Sequence, residues 1–303
     1  MNWTTENIPD QSGKTALVTG ANSGVGYEIA LALYKKGAHV ILAARDESKL
    51  TEAMDKIAKA GGTGTLEIGV LDLSSLRQVA EFAVKIKDSH TRLDLLVNNA
   101  GVMTPPESTT AEGFELQFGV NYLGHFALTG HLYTLLKNTD GARIVTLSSG
   151  GHKMVDGIDF DNLRLEKPYD AQREYAVSKL ADLLFMAELQ RRITLAGDHV
   201  ISTAAHPGVT ESNLARYMDE EQLKAGIEKY GALLPAWQGA LPALYAAVAP
   251  QVTGNDFYGP DGKYELQGYP AAGEMSAAAK DPATAAKLWK YAEEATGLTF
   301  PKL

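Results

Sequence analysis

Cysteine is absent from all 303 residues, which excludes disulfides, thiolate nucleophiles, cysteine-ligated zinc and iron–sulfur clusters. Such a chain suits a reducing cytoplasm. Basic residues are in the minority. The 28 Lys and Arg against 37 Asp and Glu leave a formal charge of −9, the wrong sign for a surface that must neutralise nucleic-acid phosphates. No nucleic-acid partner is expected. Long apolar runs are missing too: 126–136 is broken by His131 and 240–249 by Pro242, both well short of the ~20 residues that cross a bilayer. Residues 1–14 lack the basic and apolar segments of a secretory signal. The expectation is a soluble, cytoplasmic protein with no membrane partner.

What is present is ordinary globular composition, 45% hydrophobic and 21% charged, enough to bury a core. Apolar runs at 16–19, 40–44, 65–71, 93–97, 143–147 and 200–205 alternate with helical patterns at 25–36, 48–59, 76–87, 120–136 and 173–193. Strands that are apolar throughout, rather than on alternate positions, belong to a parallel sheet covered on both faces. The fold class is therefore α/β, a doubly wound, Rossmann-like parallel sheet. Glycine and proline become frequent after 207, where a last strand is expected at 256–258 and a terminal helix capped by Asp281 and stopped near Gly297. One domain over 1–303 is expected: a core at about 14–260, a loop at about 208–240 and an extension at 261–303.

Directly after the first strand comes Thr19-Gly20-Ala21-Asn22-Ser23-Gly24-Val25-Gly26. A glycine turn leading into a helix N-terminus lets backbone amides and the positive end of the helix dipole meet a pyrophosphate. The same turn can also be a plain strand-to-helix connection. Its spacing, G-x-x-x-G-x-G, differs from G-x-G-x-x-G and from the ATP-binding P-loop. In dinucleotide folds an acid at the end of the second strand bonds the ribose hydroxyl, whereas a nearby Arg accommodates a 2′-phosphate; here Ala44 stands at the acid's place and Arg45 just after it. Arg45 favours NADP(H) over NAD(H), the alternative being a surface pair with Asp46.

In Tyr175-Ala-Val-Ser-Lys179 the phenol and the ammonium are four residues apart, on one helix face. A neighbouring cation favours phenolate, which suits proton transfer. Taken alone, such a spacing is usually an exposed surface pair.

Together, Thr19–Gly26 and Tyr175-x-x-x-Lys179 join Asp72, Asn98-Asn-Ala-Gly101, Asn121, Ser149 and Pro207-Gly208 in one order and at separations that resemble the short-chain dehydrogenase/reductase family over about 14–260. The stretches 159–163, 178–182, 206–208 and 288–289 are similar to its retinol dehydrogenase-like and protochlorophyllide reductase-like branch. The resemblance implies Tyr175 as the acid–base group. Lys179 would favour the phenolate and bond the nicotinamide ribose, Ser149 rather than Ser148 would hold the substrate oxygen, and Asn121 would hold a water in a proton relay. It also implies cofactor contacts at Gly20, Asn22, Ser23, Gly24, Val25, Gly26, Arg45, Asp72, Leu73, Asn99, Ala100, Gly101, Tyr175, Lys179, Pro207 and Val209, with Ser212 or Thr210 on the carboxamide. Asp72 could instead make an Asx turn or cap a helix.

The implied enzyme transfers hydride between NADP(H) and a small-molecule carbonyl or alcohol, in an apolar pocket closed by 208–237 and walled by the insertion 150–173, unless the latter is a surface flap. A non-catalytic NADP(H)-sensing regulator on the same scaffold is the rival. Helix faces with Tyr122, Phe126, Leu132 and Leu136, and with Leu180, Leu183, Leu184 and Met186, are the ones that pair subunits in many family members, so a homo-oligomer is possible. The seven histidines fall in no metal motif, so no metal is expected. His152 and His206 are expected to cap or face solvent, the alternative being that either edges the pocket.

Overall fold

Residues 2–211, 217 and 233–302 are described in the computed structural model. The strands are β1 (Thr15–Thr19), β2 (His39–Ala44), β3 (Thr65–Val70), β4 (Leu95–Asn98), β5 (Arg143–Leu147), β6 (Ile201–Ala205), β7 (Phe257–Pro260) and β8 (Pro270–Ala272). They form one sheet in the order β3-β2-β1-β4-β5-β6-β7-β8, parallel except for the β7–β8 pair. The order runs outward in both directions from the β1–β4 junction, where the C-terminal strand ends leave a crevice for a ligand.

The main helices among the described residues are α1 (Gly24–Lys35), α2 (Glu47–Lys59), α3 (Leu76–Ser89), α4 (Gly124–Lys137), α5 (Ala171–Ala196), α6 (Leu241–Val248) and α7 (Pro282–Thr296). Successive strand residues serve opposite faces. Leu17, Ile41, Leu96 and Ile144 pack with Phe82, Phe126, Leu183 and Trp289 from α3, α4, α5 and α7. Val18, Leu42, Val97 and Val145 pack with Ile29, Leu50 and Leu244 from α1, α2 and α6. Both faces are thereby dry, as the apolar strand runs require. Asp46, Ser75, Asp170 and Asp281 cap α2, α3, α5 and α7 by accepting first-turn amides.

Two features differ from expectation. The helix expected over 120–136 begins with a six-residue π turn, Phe118–Leu123, before α4. The edge strand β8 was not foreseen. The apolar faces of α4 and α5 carry a cover from this chain's own C-terminal segment: Phe126 lies 4.9 Å, ring to ring, from both Trp289 and Phe300, and Phe185 stacks on Trp289 at 5.8 Å. The insertion 150–173 is likewise packed down rather than loose. Leu163 is buried, Phe160 contacts Tyr291 at 6.2 Å, and the Arg164 guanidinium sits 3.8 Å over Phe114. Among the described residues no helix is long and apolar enough to cross a membrane.

Candidate active site

At the end of β1 the chain turns through Gly20, whose φ of +69° is a conformation that side-chain-bearing residues rarely adopt. A Cβ at Gly26 would sit 2.5 Å from the Gly20 carbonyl oxygen and 2.3 Å from Asn99 Nδ2, so only glycine lets α1 close onto the loop and β4. Ser23 precedes α1 without making a side-chain cap, leaving the first-turn amides and the dipole's positive end for an anion. Asn99 Nδ2 donates to the Thr19 carbonyl at 2.6 Å, and Thr19 Oγ1 accepts the amides of Asn99 and Ala100, each at 2.9 Å. These bonds tie the ends of β1 and β4 into one rigid floor. A pyrophosphate-bearing dinucleotide fits that arrangement.

Arg45 is exposed just past β2, and no partner for it is found among the described residues. Asp46, its competitor for pairing, instead accepts the Lys49 amide at 3.1 Å and stands 3.5 Å from Lys49 Nζ. Asp72 makes an Asx turn, accepting the Ser74 amide at 2.9 Å and the Ser74 hydroxyl at 2.6 Å; the cap of α3 is Ser75. Leu73 is buried, its carbonyl against Gly124.

Ser149 lies where β5 ends, and its Oγ accepts the Gly151 amide at 3.1 Å. His152 Nδ1 bonds the Ser149 carbonyl at 2.7 Å, so this turn is held from both sides. The position a Cβ on Gly151 would take is 3.3 Å from Tyr175 Cε1 and 3.5 Å from Ser149 Oγ, so the Ser149 hydroxyl and the edge of the Tyr175 ring both lie against Gly151. Ser148 donates to the Lys179 carbonyl at 2.8 Å, which turns it into α5.

Tyr175 occupies the first turn of α5 at 9% exposure, and Lys179 follows one turn later, buried. The Lys179 Nζ is 6.0 Å from the Tyr175 ring centre and donates to the Leu147 carbonyl at 2.9 Å and to Asp182 Oδ2 at 2.8 Å. An ammonium has three donors, so one remains for a ligand. Burial works against the Lys179 cation, but the Asp182 carboxylate and Tyr175 outweigh it and hold the amine above its usual value. Burial pushes the Asp182 carboxyl up to about 7, although Lys179 pulls the other way. Asp182 Oδ1 is buried with no hydrogen-bond partner among the described residues.

Asn121 sits inside the π turn, a geometry common at functional sites. Its Oδ1 accepts the Val102 amide at 2.8 Å, and its Nδ2 donates to the Val102 carbonyl at 3.0 Å and to Ser178 Oγ at 2.9 Å. Its backbone carbonyl accepts His125 Nδ1 at 2.7 Å, while His125 Nε2 is 2.9 Å from Thr19 Oγ1. Burial lowers His125 from 6.5 to about 4, so the ring is neutral, donating to Asn121 and accepting from Thr19. Gly101 is adjacent: its Cβ position would be 3.2 Å from Asn121 Oδ1 and 3.9 Å from Lys179 Nζ.

On the far side, Pro207 and Gly208 (φ +70°) turn the chain after β6. The Val209 amide is given to the Leu266 carbonyl at 3.2 Å, and the Val209 carbonyl accepts Leu234 at 2.8 Å. Thr210 forms a bridge with Leu234; Ser212, Met218, Leu223 and Tyr230 lie outside the described residues. His152 and His206, expected to cap or face solvent, are both buried and do neither: His152 Nδ1 donates to the Ser149 carbonyl while its Nε2 accepts the Ser276 amide at 3.2 Å, and His206 Nε2 is 3.4 Å from Glu265 Oε2. A cleft of about 530 Å³ opens between the insertion and α5, lined by Met154, Val155, Asp170, Ala171, Gln172, Arg173 and Ala176.

The structure thus gathers Ser149, Tyr175, Lys179 and Asn121 beside the glycine turn. Asp182 and His125 were not singled out in advance for this site. His125 had one weak signal, its place four residues after Asn121, and Asp182 sits three after Lys179 on the same helix.

The family model described as short chain dehydrogenase matches residues 14–223. Human retinol dehydrogenase 14 is 38% identical over 307 residues, covering 94% of this chain and 87% of the relative. Polyprenol dehydrogenase from Danio rerio is 37% identical over 298 residues, covering 96% and 89%. A Mycobacterium paratuberculosis protein of known structure matches with a TM-score of 0.82 at 38% identity over 100% of both chains.

Proposed function

The chain belongs to the short chain dehydrogenase family, in its retinol dehydrogenase-like branch, and from that premise we propose that it moves hydride between NADP(H) and the carbonyl or alcohol carbon of an apolar substrate. The family uses nicotinamide dinucleotides. When bound, the nicotinamide supplies the hydride in reduction or takes it in oxidation. The observation that carries this reading is the placement of Tyr175 and Ser149 against Gly151, beside the glycine turn, with Lys179 behind the phenol.

In reduction, the Tyr175 phenol would give its proton to the carbonyl oxygen as the carbonyl carbon takes up hydride, leaving an alcohol. In oxidation the phenolate takes the hydroxyl proton. Ser149 donates to the reacting oxygen and holds it against Tyr175. Lys179 stabilises the phenolate and has one free N–H for a ribose hydroxyl, and Asn121 keeps the Lys179 end of the site joined to the loop after β4. The α1 N-terminus and Gly20–Gly26 loop would hold the pyrophosphate, and Arg45 would hold a 2′-phosphate, which supports NADP over NAD. An apolar, isoprenoid-like substrate is supported by two relatives whose names specify retinol and polyprenol.

The test is a panel of retinoid, polyprenoid and short aliphatic aldehydes and alcohols, followed by nicotinamide absorbance with each cofactor. Turnover of the isoprenoids with NADP(H) supports the proposal. Tight cofactor binding with no turnover of any member would favour the non-catalytic sensor instead.

A further inference from the structure

At the end of the sheet opposite the crevice, three side chains from separate elements converge: His39 opens β2, Glu67 is the third residue of β3, and His90 is the C-cap of α3. The Nε2 atoms of His39 and His90 stand 3.2 and 3.1 Å from a single carboxylate oxygen, Glu67 Oε2, and the three candidate ligand atoms all lie within 4.8 Å of one another. We propose that His39, Glu67 and His90 form a zinc-binding site.

Tetrahedral zinc with bonds of roughly 2.0–2.2 Å spaces its ligand atoms about 3.3 Å apart. The two nitrogen–oxygen separations are already of that size. The candidate ligand atoms of the two imidazoles lie within 4.8 Å of one another, so rotation of the rings about their side-chain bonds brings all three ligands onto a shared centre. Without a metal, His39 Nε2 donates to Glu67 Oε2 at 3.2 Å, a proton that zinc would replace; His39 Nδ1, 2.7 Å from Thr65 Oγ1, makes the kind of outer contact that orients a ligating imidazole. His90 Nε2 is buried and, despite its approach to Glu67, has no hydrogen-bond partner among the described residues, so the carboxylate lies off the axis along which a ring N–H would donate. An ion pair leaves that nitrogen unsatisfied, whereas a metal satisfies it.

Two imidazoles and one carboxylate suit zinc among the first-row dications, with water completing the shell. The ion would pin β2, β3 and the chain entering β4 together, far from Tyr175, so its role is structural. The spacings of 28 and 23 residues explain why no local histidine motif announces the cluster, and the expectation of no metal was built on such motifs.

The experiment uses the full chain without an affinity tag, stripped of metal by chelation. Titration calorimetry should show about one zinc bound per chain, with a zinc-dependent rise in melting temperature that magnesium does not produce. Cobalt should give the visible d–d bands of an imidazole-ligated four- or five-coordinate ion, a readout that needs no variant. His90→Ala and Glu67→Gln should each weaken zinc at least tenfold, while His199→Ala changes nothing. Absence of cobalt bands and of zinc binding at micromolar metal would overturn the proposal, as would affinity undiminished in His39→Ala/His90→Ala, because the cluster would then be an ion pair only.

Discussion

Lys179 and Asp182 form a buried ion pair, Nζ to Oδ2 2.8 Å, with both side chains almost wholly removed from solvent. The ammonium behind the phenol is therefore held in place and kept charged by a carboxylate one turn further along α5. Removing one member of a buried pair leaves the other uncompensated.

Asp182→Asn tests this directly. Without the carboxylate, burial is opposed by Tyr175 alone and the Lys179 amine loses its proton at lower pH. The alkaline limb of the kcat/KM profile should move to lower pH, and urea unfolding should show a loss of about 3 kcal/mol. An unmoved alkaline limb would show that Asp182 is structural only.

His125 gives a stability signature. Its folded-state value is depressed from 6.5 to about 4 by burial, so its contribution is present above pH 6.5 and is lost as pH falls towards 4. Compared with His125→Gln, the wild-type protein should lose up to about 3 kcal/mol of relative stability across that window, as measured by chemical unfolding at a series of pH values. A constant difference would mean that folding leaves the proton affinity of the ring unchanged, against the depression described.

Trp289 and Phe300 cover the apolar faces of α4 and α5. Trp289→Ala should cost about 3–5 kcal/mol and uncover apolar surface, so a shift to larger species in light scattering is expected. An unchanged melting temperature would contradict the packing described.

Arg45 decides the cofactor if it meets a 2′-phosphate. Arg45→Ala should weaken NADP binding by roughly 10–100-fold, the scale of a charged hydrogen bond, and leave NAD binding nearly untouched. Equal effects on both cofactors would remove the basis for an NADP preference.

Much of the architecture is legible from residue order. Val40 to Ala44 is apolar throughout because β2 is covered on both faces, and the glycine turn, Ser149 and the Tyr175–Lys179 spacing place the site at the switch between β1 and β4. Other features have no local signature. Pro270 to Ala272 is too short for a period to appear, and its antiparallel pairing depends on β7. The π turn at Asn121 has the composition of any helix. The apolar faces of α4 and α5 announce that something covers them without saying what, and the partner is Trp289, more than a hundred residues away. His39, Glu67 and His90 meet only because parallel pairing sets His39 beside Thr65, two residues before Glu67.

The most direct measurement is the turnover of Tyr175→Phe with the best substrate from the panel, alongside its affinity for NADP(H). Loss of the phenolic proton should lower kcat by about 10²–10⁴-fold while cofactor affinity and melting temperature stay near those of the wild-type protein. Near-normal kcat with intact cofactor binding would contradict the account, since no other group described here stands where Tyr175 does to pass that proton.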